Sequence, residues 1–196
     1  MTKRESTIER KTNETQIAMT FGLDGDGTSS IHTGIPFFDH MLDLFTTHGL
    51  FNLDLRVKGD LAVDFHHSVE DVGICLGQAF RENIQDAKGI ARFASGLIPM
   101  DESLCQIAID VSNRPYLHFQ ANYPQSKVGT FDVELIEEFF RAFTNNAKIS
   151  LHINLLTGQN AHHLIESCFK GFGVCLDQAT IIDPRKKNIP STKGVL

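Results

Sequence analysis

Two short stretches decide how this chain is read: DFHHSVED at residues 64–71 and NAHHLIES at residues 160–167. Each places a good helix-capping residue, Asp64 or Asn160, two positions before a histidine pair. Side chains of this type accept the first orphan N–H groups of a helix, so both pairs are expected in a first helical turn. Residues one turn apart share a helix face. His66 then stands over Glu70 and His162 over Glu166, while His67 and His163 point roughly 100° away around the axis. The spacing also leaves open a pairing of His67 with Glu70.

Working outward, the segments around both stretches repeat in order. Upstream of the first lie a helix over PFFDHMLDLFTTHG (36–49), stopped by Gly49, and an alternating strand over LFNLDLRV (50–57). LAVDF (61–65) is a candidate strand partner for it, and a long helix then runs from about His66 to Ala87. The second half shows strands at 104–111 and 115–121, a helix at 133–147, a strand at 149–155 and a helix at 162–179. Near the start, TQIAMTF (15–21) and SSIHTG (29–34) flank the turn-rich LDGDG and read as a hairpin. Short echoes support the repeat: FT at 45–46 and 143–144, GxCLxQA at 73–79 and 173–179, QIA at 16–18 and 106–108. The expected fold is α+β, an internal duplication of two similar halves. Each half is a mostly antiparallel sheet with helices packed on one face, the first spanning 1–90 and the second 91–182.

Composition narrows the functional classes. A net charge of −6 argues against nucleic acid as a partner, which calls for a basic surface. No run of 18 or more apolar residues and no secretory leader is evident, and Cys75, Cys105, Cys168 and Cys175 lie in apolar stretches without a CxxC pair. The expectation is a cytoplasmic protein with reduced cysteines and no membrane partner. Histidine stands out: four of the nine sit in the two pairs.

The doubled motif points to metal. A histidine and a glutamate one helical turn apart can hold one ion, whereas adjacent helical histidines diverge. If a pseudo-twofold axis relates the halves, the spare histidine of one can complete the clamp of the other, giving two sites of matching composition. Imidazole with carboxylate suits manganese, iron, cobalt or zinc. A single HHxxE motif is equally a polar helix start with a capping carboxylate; its duplication favours the metal reading. His48, at the end of the 36–49 helix, can cap that helix or reach a substrate. His32, His118 and His152 lie in strand-like segments, where a lone histidine is ordinarily structural.

Taken together, RKTNETQI (10–17), TGIPFFDHML (33–42), THGLF (47–51), the two HHxxE motifs, PMDES (99–103), NRPYL (113–117), SLHI (150–153) and PSTKGVL (190–196) resemble the imidazole glycerol phosphate dehydratase family of histidine biosynthesis. The resemblance implies a ribosomal protein S5 domain 2-like fold with a tail over 183–196 that carries PSTKGVL. It implies conversion of imidazole glycerol phosphate into imidazole acetol phosphate with two Mn2+ ions per active site. One ion would take His40, His67, His162 and Glu166, the other His66, Glu70, His152 and His163. The substrate residues it implies are Glu14, a candidate for proton transfer, His40 and Thr192, with Arg92, Arg114, Lys170, Ser191 and Lys193 around the phosphate. It further implies a homo-oligomer of 24 subunits built from trimers, with active sites shared between subunits. Two positions depart from the family pattern: Leu44 stands in place of a glutamine near the phosphate, and Glu138 in place of a histidine.

The chemistry accounts for two metals. The hydrogen to be lost sits on a carbon with no neighbouring carbonyl. Metal on both ring nitrogens favours an imidazolate, which expels the adjacent hydroxyl to give a diazafulvene-type intermediate and acidifies the next C–H. Two other readings fit the residues alone, a dinuclear metallohydrolase and a non-catalytic assembly protein tied together by metal.

Overall fold

The computed structural model describes residues 4–196. The first half comprises β1 (Glu5–Lys11), β2 (Thr15–Gly22), β3 (Ser29–His32), α1 (Pro36–His48), β4 (Asn52–Gly59) and α2 (His66–Ile84). The second comprises β5 (Phe93–Met100), β6 (Ser103–Asp110), β7 (Tyr116–Gln120), the short pair β8 (Lys127–Val128) and β9 (Phe131–Asp132), α3 (Leu135–Ala147), β10 (Ser150–Thr157) and α4 (Ala161–Thr180). The four-stranded sheets have orders β1-β2-β4-β3 and β5-β6-β10-β7, the same topology twice. In each, only the last pairing is parallel. The expected duplicated α+β fold is present.

Helix α2 lies on β1 and β2, α4 on β5 and β6, and the helices of the two halves pack on each other, α1 with α4 and α2 with α3. The sheets are therefore outside and the helices between them. Eleven phenylalanines with no more than 1% of their surface exposed fill this middle, among them Phe45, Phe139, Phe140, Phe143 and Phe172. Two glycines permit the close helix crossings. A Cβ on Gly77 of α2 would stand 2.6 Å from the Phe143 carbonyl of α3, and one on Gly173 of α4 2.5 Å from the Phe45 carbonyl of α1. Gly77 and Gly173 each lie thirteen residues past the capping Asp64 and Asn160. The equivalent glycines are thus one helical turn out of step with the GxCLxQA echo, which aligns Gly173 with Gly73.

Three local readings need correction. TQIAMTF and SSIHTG do not form a hairpin, because β4 inserts between them: β2 pairs antiparallel and β3 parallel with β4. LAVDF is not a strand. With β2 on one edge of β4 and β3 on the other, no edge is left for it, and residues 61–63 turn instead, Val63 N–H donating to the Asp60 carbonyl at 2.8 Å. The long helix stops at Ile84, three residues short of the expected end, where Gln85 and Ala87 take positive φ values of 49° and 57°. All four cysteines are buried and unpaired by disulfides.

Candidate functional site

Both histidine pairs begin helices as their caps require. The Asp64 carboxylate accepts the His66 N–H at 2.8 Å, and the Asn160 side chain accepts the His162 N–H at 2.9 Å. On α4 the i, i+4 geometry is realised: His162 Nε2 stands 3.2 Å from Glu166 Oε2. His40, on α1 of the other half, brings its Nε2 to 3.7 Å from the same oxygen. One ligand atom from each of His40, His162 and Glu166 lies within 4.8 Å of the others, so a single ion could touch all three. Glu166 is 9% exposed at its side chain, and its other oxygen takes the Lys170 ammonium at 2.6 Å. Burial works against its ionisation, but Lys170, with His40 and His162, outweighs burial and holds its pKa below the ordinary value. His48 also belongs to this neighbourhood: burial and the positive Lys170 push its pKa down.

The two HHxxE copies differ. His66 and Glu70 make no ion pair with each other, in contrast to His162 and Glu166. The sequence also differs at equivalent positions. Four residues past Glu70 stands Ile74 rather than a lysine, and the α3 position matching His40 is Glu138, which turns to Arg141 at 3.6 Å. His67 is held apart from the His40 cluster, with Nδ1 2.9 Å from Asp60 Oδ2 and Nε2 3.6 Å from Glu14 Oε1. His163 likewise places Nδ1 2.8 Å from Glu102 Oε2. His152 is exposed, its ring beside those of Tyr116 and His118. Within one copy of the chain, then, the structure joins three of the four residues of the first expected set (His40, His162, Glu166). It does not join His67 to them, nor His66, Glu70, His152 and His163 to one another.

The other expected substrate residues fall in two places. Arg92, with φ of 78°, grips the Asp110 carboxylate at 2.7 Å and donates to the Pro190 carbonyl at 2.7 Å. Arg114 approaches the same aspartate at 3.7 Å, and Asn113 donates to the Leu196 carbonyl at 2.8 Å. The tail bearing Ser191, Thr192 and Lys193 is thereby laid against this end of β5, with the Ser191 hydroxyl accepting the Lys193 N–H at 3.2 Å. Lys170 is at the other end of β5, its Nζ 3.4 Å from the Met100 sulfur. Eight extended residues separate these ends, about 23 Å at strand rise. Glu14 sits on the β1–β2 turn. Behind it, buried Asp71 ties Arg10 of β1, at 2.9 Å, to the Thr15 hydroxyl of β2. Asp60 carries no motif in the sequence, whereas Asp101 and Glu102 in PMDES read either as a functional acidic pair or as a turn before the next strand; Asp60 and Glu102 each face a histidine of an HH pair.

Comparison with known proteins agrees with this organisation. Residues 33–176 match the family described as imidazoleglycerol-phosphate dehydratase. The chain is 55% identical to the imidazoleglycerol-phosphate dehydratase of Halalkalibacterium halodurans over 98% of this chain and 100% of that one, and 54% identical to that of Pelobacter propionicus over 98% and 99%. Among solved structures, imidazoleglycerol-phosphate dehydratase from Staphylococcus aureus superposes with a TM-score of 0.84 at 42% identity, covering 91% of this chain and 99% of that one. The enzyme from Pyrococcus furiosus, in complex with (S)-C348, gives 0.83 at 34%, covering 96% and 100%. With its doubled HHxxE fold matched at this identity along nearly its whole length, the chain belongs to the imidazoleglycerol-phosphate dehydratase family.

Proposed function

We propose that the chain dehydrates imidazole glycerol phosphate to imidazole acetol phosphate with two Mn2+ ions per active site, in a homo-oligomer of 24 subunits built from trimers. Family membership makes it a dehydratase of histidine biosynthesis, acting on a small molecule. The observation that carries the metal reading is the convergence of His40, His162 and Glu166 from two halves of the chain onto one small volume. Neutral imidazoles with one carboxylate are a donor set that manganese accepts.

Four residues, His40, His67, His162 and Glu166, would hold one ion, and His66, Glu70, His152 and His163 the other. When bound, manganese would supply Lewis acidity to the ring nitrogens of the substrate. The protein's own part is to orient and to move protons. Lys170, seated on one oxygen of Glu166, leaves the other facing His40 and His162. Glu14, exposed on its turn and beside His67, would take a proton from the substrate carbon. The bonds from Arg10 and Thr15 to Asp71 hold that turn in place.

The separation of about 23 Å between the Arg92 and Lys170 ends of β5 favours sites shared between copies, since one phosphate cannot span it. The exposed position of His152, on the sheet face away from α4, favours the same reading. The test is direct: metal-stripped protein is given imidazole glycerol phosphate with and without Mn2+, and the product is weighed by mass spectrometry. Loss of one water only with Mn2+ is expected. Dehydration without any divalent metal would overturn the metal reading, and release of inorganic phosphate would point to a hydrolase.

A further inference from the structure

The second histidines of the two pairs are each gripped from outside their own helix. Asp60, in the turn after β4, faces His67 Nδ1 at 2.9 Å, and Glu102, in the turn between β5 and β6, faces His163 Nδ1 at 2.8 Å. Glu102 is firmly seated. Its Oε1 accepts the backbone N–H groups of Asn160 at 2.9 Å and Gln159 at 3.1 Å and the Ser103 hydroxyl at 3.3 Å, so Oε2 is left for the imidazole. The supports arise at different points of the repeat, one before α2 and one in the first hairpin of the second half. They were therefore not simply copied with it. The corresponding hairpin of the first half, β1–β2, carries Glu14, which faces the other nitrogen of His67.

An ionised carboxylate only accepts hydrogen bonds. An imidazole that meets one through Nδ1 must carry its proton there, and in the neutral ring Nε2 then keeps its lone pair. We propose that Glu102 and Asp60 are positioning residues that fix His163 and His67 in the tautomer whose Nε2 is free to bind metal. This rests on the metal reading above. It also gives PMDES a use: the motif sets the hairpin turn from which Glu102 reaches both the start of α4 and its second histidine.

Glu102→Gln separates this role from simple bracing. The glutamine oxygen can still accept the Asn160 and Gln159 N–H groups, but its amide N–H2 then faces Nδ1 and demands the opposite tautomer. Histidine-labelled protein, free of metal and near pH 8, is followed by magic-angle-spinning 15N NMR, and Mn2+ uptake is followed by titration calorimetry. The wild type should show His163 protonated at Nδ1. E102Q should show it protonated at Nε2, with metal-free melting unchanged and one Mn2+ per chain bound about 10–100-fold more weakly, the usual loss for an outer-shell partner. Asp60→Asn should do the same to His67. Wild-type protein that takes up no Mn2+ would overturn the metal reading and this role with it. Wild-type protein that binds Mn2+, with E102Q binding it equally and His163 keeping its tautomer, overturns the positioning role alone.

Discussion

Glu14 is an exposed carboxylate on a turn whose anchors are buried, and its role can be separated from theirs. Glu14→Gln preserves size and leaves the Asp71 anchor untouched, so substrate affinity should hold while turnover falls by about 100-fold or more, the usual worth of a general base. Near-normal turnover in a steady-state assay would remove Glu14 from proton transfer. Asp177 offers a test of a different kind. Burial, with Asp24 nearby, raises its pKa above the ordinary 3.8 against the pull of Arg4. A raised carboxylate favours the protonated fold: its contribution is present below 3.8 and is lost as pH rises through the folded value. At pH 7 the charged group is therefore a cost. Asp177→Asn should raise the melting temperature at neutral pH by about 1–3 °C, with the gain vanishing below the ordinary carboxylate pKa. An equal gain at pH 3 would contradict this. At this scale the sequence showed the helix caps and the His162–Glu166 clamp, because both follow from spacing within one helix. It did not show that His66 and Glu70 fail to pair, because the same i, i+4 spacing occurs in both copies.

Among elements, the helix crossings set how the two halves fit. Alanine is the better helix former by about 1 kcal/mol, so a purely local view makes Gly77→Ala and Gly173→Ala stabilising. The backbone carbonyls of Phe143 and Phe45 stand where the new Cβ would go, and backbone cannot swing aside. Each substitution should therefore cost about 1–3 kcal/mol in urea unfolding, the range for overpacking a filled core. A gain in stability at either position would show that the crossing accommodates the added Cβ. The helices and inner strands were legible because their apolar residues keep a helical or alternating period. Besides the two-residue β8 and β9, two longer strands escaped: β1 buries only Ile8, and β5, FASGLIPM, mixes glycine and proline with apolar residues on both faces. The β2–β3 hairpin was misjudged for a topological reason, since nothing within that stretch says that β4, twenty residues on, will come between its strands.

At the scale of the whole molecule, the separation of Arg114 and Lys170 at opposite ends of β5 makes a statement about assembly. If each phosphate is held by residues of different copies, Arg114→Ala and Lys170→Ala proteins should each be nearly inactive. Co-assembled at equal amounts, they should regain about a quarter of wild-type activity, because one site in four then draws both intact residues. A mixture as inactive as its components would place both residues in one copy's site. The duplication was readable from the HH pairs and the repeated order of elements around them, but apart from the family resemblance how sites are divided among copies was not. That division depends on surfaces meeting other chains, and no periodicity within one chain records it.

On the proposed function, the two HHxxE motifs build two crossed metal sites. Anomalous diffraction at the manganese edge, on crystals of the assembled protein grown with Mn2+, tests it most directly. Two peaks per chain are expected. One should lie among His40, His162 and Glu166 with His67 reaching in from another copy, the other between His66 and Glu70 of one copy and His152 and His163 of another. A single peak per chain, or peaks away from these residues, would contradict it.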